Sequence, residues 1–133
     1  MCEIKKLGAI HKKKGTTMIK RAGTYELETR VNMKGGPGAV TLEKYFNKED
    51  FGGPHVRVCS KLILPPGSGI GLHAHEGEDE VYIVVKGKGK VNDAGTVTEI
   101  TVGDTVLTGK GNSHSVECVG DETLEIIALV VTY

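Results

Sequence analysis

Residues 24–33 alternate between apolar and polar. Tyr25, Leu27, Thr29, Val31 and Met33 fall on one parity, and Glu26, Glu28, Arg30 and Asn32 on the other. Successive strand residues point to opposite faces, so this pattern predicts a half-buried strand. Residues 39–46 form a second candidate strand and residues 55–64 a third. In the third, Val56, Val58, Ser60, Leu62 and Leu64 share the face expected to enter a core, with Arg57, Cys59 and Lys61 on the other. Pro65-Pro66-Gly67 ends it. Short candidates then follow at residues 72–75, 80–85, 89–92, 96–100, 105–107, 113–119 and 123–132, separated by glycine-containing turns. Short strands at such spacing predict an all-β sandwich or barrel. The pattern offers no strong helix, only a single helical turn at 47–51.

Composition sharpens this picture. The chain has 133 residues, the size of a single domain. Its 19 glycines are about twice the usual share and lack a period, so they read as turn punctuation and exclude a collagen-like chain. Seventeen basic residues balance 17 acidic ones. That argues against nucleic-acid binding by bulk electrostatics and against a polybasic membrane-surface protein. No apolar run approaches ~18 residues, so no transmembrane helix is expected. Cys2, Cys59 and Cys118 are odd in number and form no Cys-x-x-Cys pair, which points to a reducing cytoplasm. Residues 1–17 are lysine-rich and lack a signal-peptide apolar run. They read as an N-terminal extension, a swapped arm or sequence upstream of the true start, and the domain proper spans 18–133.

The chemistry concentrates in the histidines. His73 and His75 are separated by one residue, so on a strand they project to one face. Glu80 follows across the polar loop Glu76-Gly77-Glu78-Asp79, where a hairpin would return it beside them. Glu78 is the rival carboxylate. His114 lies on a later strand after a glycine-rich turn. Three imidazoles and a carboxylate suit a divalent transition metal, and an octahedral ion would keep two positions open. His11 and His55 have no such company and read as ordinary histidines.

The spacing Gly67-x5-His73-x-His75-x4-Glu80-x6-Gly87 resembles the first motif of the cupin family at every defined position. Gly103-x5-Gly109-x-Gly111-x2-His114-x3-Cys118 resembles the second, with Gly109 where the family has proline and Cys118 where it has asparagine. The resemblance implies a double-stranded β-helix, a jelly-roll barrel with an internal metal held by His73, His75, Glu80 and His114. The metal could be Mn, Fe, Ni, Zn or Co, since this donor set accepts each. It also implies a homodimer joined through sheet edges and strand exchange, with residues 25–33 and the preceding arm as the contact.

Parity that turns Glu80 inward turns Tyr82 and Val84 inward as well, and Cys118 shares a face with His114. Tyr82 offers a hydroxyl to a ligand or simply packs in the barrel. Cys118 is a soft contact near the metal or a small buried apolar group. Arg57 either enters the barrel mouth, favouring an anionic ligand, or lies in solvent. Two functions fit. One is a metal-dependent enzyme (decarboxylase, isomerase or dioxygenase) acting on a small carboxylate or sugar-type substrate. The other is a non-catalytic module that binds or senses a small molecule. Oxalate decarboxylases of this look carry an arginine three residues before the first ligand histidine. Here that position is Ile70, and one domain stands in place of two, which argues against oxalate chemistry by their mechanism.

Overall fold

A computed structural model describes residues 15–133. The reading of residues 1–17, Cys2 and His11 therefore falls almost wholly outside the described residues. Ten strands follow one another: β1 (Glu26–Val31), β2 (Ala39–Phe46), β3 (Val56–Leu64), β4 (Gly69–Ala74), β5 (Glu78–Lys86), β6 (Lys88–Asp93), β7 (Thr96–Thr101), β8 (Thr105–Thr108), β9 (Ser113–Cys118) and β10 (Leu124–Thr132). They form two sheets, in the orders β1-β2-β3-β10-β5-β8 and β4-β9-β6-β7, with antiparallel neighbours throughout. This is the all-β architecture expected from the strand rhythm, and it takes the double-stranded β-helix form that the motif resemblance implies. The helical turn expected at 47–51 is a 3-10 turn at Lys48–Asp50, closed by reciprocal hydrogen bonds between Asn47 and Asp50.

The core lies between the sheets. Val40 and Leu42 of β2, Leu62 and Leu64 of β3, Tyr82 and Val84 of β5, and Ile126 and Ala128 of β10 meet Ile70, Val91, Ile100 and Val116 from the smaller sheet. Each large aliphatic side chain so enclosed contributes about 1.5–3 kcal/mol of transfer free energy. The strand alternation is what sends these residues inward. On β3, Ser60, Leu62 and Leu64 are buried as their parity requires.

β1 departs from expectation. Its apolar parity faces outward: Leu27 is 61 % exposed and Val31 is 72 % exposed. The reason lies in register and topology. β1 is the outermost strand of the larger sheet, and Glu28 and Arg30, opposite Leu42 and Val40, share the inner side with those core residues. The inner side of β1 overhangs the barrel mouth instead of the apolar core. Arg30 accordingly lines the cavity described below.

A 3-10 turn at Met33–Gly35, which the hydrophobic pattern does not reveal, docks on β4. Contact is backbone to backbone. A Cβ on Gly71 would collide with the Lys34 carbonyl, and one on Gly36 with the Gly69 carbonyl. The β4–β9 pairing is irregular between Ile70 and His73, so both side chains can serve the interior despite their odd separation.

Candidate metal centre

The two sheets contribute different chemistry to one point between them. His73 on β4 lies opposite His114 on β9 in the smaller sheet. His75 follows the end of β4, its backbone N–H donating to the Asn112 carbonyl at 3.1 Å. Glu80 enters from β5 in the larger sheet. His75, Glu80 and His114 are buried, and His73 is half-buried. One donor atom from each of the four lies within 4.8 Å of every other.

The proton positions follow from what surrounds the rings. His73 Nδ1 is 2.7 Å from the Gly71 carbonyl, and His75 Nδ1 is 2.7 Å from Glu78 Oε2. Both partners can only accept, so each ring, when neutral, carries its proton on Nδ1 and presents a bare Nε2 inward. His114 Nδ1 is 2.9 Å from the buried Thr108 hydroxyl, which can accept the third ring's proton. His75 Nε2 and His114 Nε2 are 3.0 Å apart, and His114 Nε2 and His73 Nε2 are 3.2 Å apart. Glu80 Oε1 is 2.9 Å from His75 Nε2 and 3.1 Å from His114 Nε2, yet it is buried with no hydrogen-bond donor.

With the three rings neutral, four lone pairs converge with at most one proton among them. Such an arrangement is costly unless a cation occupies the centre. Separations near 3 Å also match neighbouring ligands of a six-coordinate ion at metal–ligand distances of about 2.0–2.2 Å. The four residues fit a divalent transition metal and could hold one.

Tyr82 stacks on His114, with ring centroids 5.2 Å apart and planes at 22°, and is enclosed in the core. Burial drives its hydroxyl pKa well above the ordinary value, and the neighbouring Glu80 carboxylate adds to this. Burial also holds His73 below its ordinary value, keeping the ring neutral. Glu78, the rival carboxylate, is turned away from the centre. Arg57 grips it with both ends of its guanidinium, Nε on Oε1 at 2.9 Å and Nη2 on Oε2 at 2.8 Å. That fork, aided by the His75 hydrogen bond, lowers the Glu78 pKa to about 2. Arg57 is half exposed at the mouth. Cys118 is not brought to the centre: it packs against the core, and its thiol donates to the Glu122 carbonyl at 3.1 Å.

A cavity of about 150 Å³ is lined by three of the four donor residues, His73, His75 and Glu80. Ile70, Tyr82, Leu42 and Met33 supply its apolar wall, and Arg30, Lys34 and Arg57 its basic rim. Sequence parity did not find Arg30 or Lys34, because neither lies in a motif. The larger cleft of about 560 Å³, between β6, β7 and the turn before β8, is lined by Asp93, Glu99 and Asp104 and lacks any comparable convergence of donors. Chemistry rather than size identifies the site.

Residues 60–131 match the family described as the cupin domain, so the chain belongs to the cupins. It is 39% identical over 119 residues to an oxalate-binding protein of Thermotoga maritima, covering 90% of this chain and 98% of that one. A crystal structure of a predicted oxalate decarboxylase from Thermotoga maritima superposes with a TM-score of 0.83 at 37% identity, covering 87% of this chain and all of the other. The polyketide cyclase RemF from Streptomyces resistomycificus shares the fold, with a TM-score of 0.69 at 19% identity over 86% of this chain and 80% of that one. Among the described residues no helix is long and apolar enough to cross a membrane.

Proposed function

We propose that this protein holds one divalent transition-metal ion through His73, His75, Glu80 and His114 and binds a small carboxylate on it. The observation that carries this reading is the convergence of four proton-poor donors on one buried point. A bound ion supplies Lewis acidity and two open positions that a chelating carboxylate can fill. One ligand carboxylate leaves a divalent ion with net positive charge, and the rim of Arg30, Lys34 and Arg57 reinforces it. The cavity of about 150 Å³ suits a molecule of a few heavy atoms and excludes drug-sized ligands. The name of the Thermotoga maritima relative, an oxalate-binding protein, supports a dicarboxylate ligand. Ile70 lines the same wall and offers no cation, so the anion is met by the metal and the rim.

Elemental analysis before and after His73→Ala, His75→Ala or His114→Ala tests the metal. One ion per chain, lost in the variants, is the expected result. Calorimetry with oxalate, malonate and a sugar phosphate, with and without metal, tests the ligand. Tight oxalate binding that needs metal is expected, and metal-independent binding would refute the proposal. Turnover as a decarboxylase, isomerase or dioxygenase is the second reading. It is favoured by the Tyr82 hydroxyl beside Glu80, a proton-bearing group on the cavity wall. Product formed from a bound ligand, and slowed in Tyr82→Phe, would establish it.

We also infer a homodimer, placed in a reducing cytoplasm by the free thiols of Cys59 and Cys118. The outer face of the larger sheet leaves Leu27, Val31, Ile83, Val85 and Leu107 exposed. Leu27 and Val31 lie on the edge strand β1, and an exposed apolar edge strand suits pairing with a second copy. Sedimentation of Leu27→Asp/Val31→Asp tests it: a dimeric wild type and a monomeric variant are expected.

A further inference from the structure

Each ligand histidine has a different partner on its outer nitrogen: a backbone carbonyl for His73, a hydroxyl for His114 and a carboxylate for His75. A carboxylate is the strongest of these acceptors. It fixes the plane of the ring and raises the basicity of the opposite nitrogen. Glu78 can do this only if its own orientation is fixed, and both its oxygens are already engaged. Oε1 accepts from Arg57 Nε; Oε2 accepts from Arg57 Nη2 and from His75 Nδ1. No other carboxylate lies between His75 and the barrel mouth among the residues lining the cavity.

We propose that Arg57 and Glu78 form a positioning relay that sets the metal affinity of the site through His75, and that Arg57 keeps the Glu78 carboxylate off the metal's open positions. Arg57 therefore serves the ligand histidine rather than acting as the principal clamp for an external anion. The chain runs β3 to β5 to the end of β4, so it ties both sheets to the orientation of one imidazole. A bidentate guanidinium fork is needed for this, because it holds the carboxylate in plane; a lysine would supply charge without the plane.

This inference rests on the metal reading above, and the experiment separates the two. The full-length protein is titrated with Co²⁺ against a competing chelator, for wild type, Glu78→Gln, Arg57→Gln, Arg57→Lys and Glu78→Gln/Arg57→Gln. Melting of the metal-free proteins is followed in parallel. Glu78→Gln is expected to weaken Co²⁺ binding by about 10–100-fold, the usual effect of removing a partner of a ligand histidine. Arg57→Gln should weaken it less, Arg57→Lys should recover only part of that loss, and the double variant should match Glu78→Gln alone. The Co²⁺ absorption spectrum should shift in Glu78→Gln, a change that a purely structural role would not produce. Wild type that binds no Co²⁺ would overturn the metal reading and this one with it. Wild type that binds, with Glu78→Gln within about threefold of it or with fully additive losses, would overturn the relay alone. Should Glu78→Gln not fold, the two Arg57 variants carry the test: equal affinity in both and in wild type refutes the relay.

Discussion

Replacing Glu80 by glutamine reverses the usual order of stability, because the metal-free centre is over-supplied with acceptors. Glu80 Oε1 is buried beside two imidazole nitrogens at 2.9 and 3.1 Å and accepts no hydrogen bond. A glutamine amide is nearly the same shape and brings two N–H donors. Oriented inward, it would donate to His75 Nε2 or His114 Nε2. Relieving one buried unsatisfied acceptor is worth about 1–3 kcal/mol. The unfolding entropy of a chain this size is about 0.28 kcal/mol/K, so 1 kcal/mol moves the melting temperature by about 4 °C. Glu80→Gln in chelator-treated protein should therefore melt about 4–11 °C above wild type. Adding metal should invert the ranking. At a free concentration of 100 times Kd, wild type gains about 2.7 kcal/mol, or about 10 °C. Glutamine is a neutral and weaker ligand, so the variant gains far less. Scanning fluorimetry with a chelator and then with Mn²⁺ or Co²⁺ gives both numbers. A variant that melts below wild type without metal, or that gains as much from metal as wild type, would refute the reasoning.

Leu64→Ala removes a fully buried core side chain and should cost about 2–5 kcal/mol, read as a lowered urea midpoint with unchanged slope. Gly109→Pro restores the residue usual in the cupin motif but places ring atoms where the Asp79 carboxylate sits. It should lower the melting temperature, and Asp79→Ala added to it should recover most of the loss; no recovery would refute a steric origin. Metal-free protein should lose stability as pH falls below about 6.5, because burial holds the folded His73 pKa below its unfolded value and the unfolded chain takes up the proton first. His73→Asn should flatten part of that slope in melts run from pH 8 to pH 5. Glu78 acts in a lower window: its pKa of about 2 gives stability that is present above about 4.5 and lost as pH falls towards 2.

The strands and the cluster of His73, His75, Glu80 and His114 were legible because both rest on local rules. Period-two alternation identified the inward face of β3 and the inward set Glu80, Tyr82 and Val84, and the histidine spacing survived folding because His73 and His75 stay on one face. What failed to show was what depends on contacts distant in sequence. The apolar parity of β1 reads as buried, yet which side of an edge strand meets the core is decided by its register with β2 and by how far the opposing sheet reaches. Arg57 illustrates the same limit. Parity left it between barrel mouth and solvent, and it occupies the boundary, half exposed and bound to Glu78, 21 residues away. The surroundings of Gly109 are likewise visible only in the fold: a Cβ there would meet the Asp79 carboxylate. The donor atoms of the centre are thus written in a motif. The groups that orient and charge them, Arg57, Glu78, Thr108 and Arg30, come from strands whose pairing no local pattern encodes.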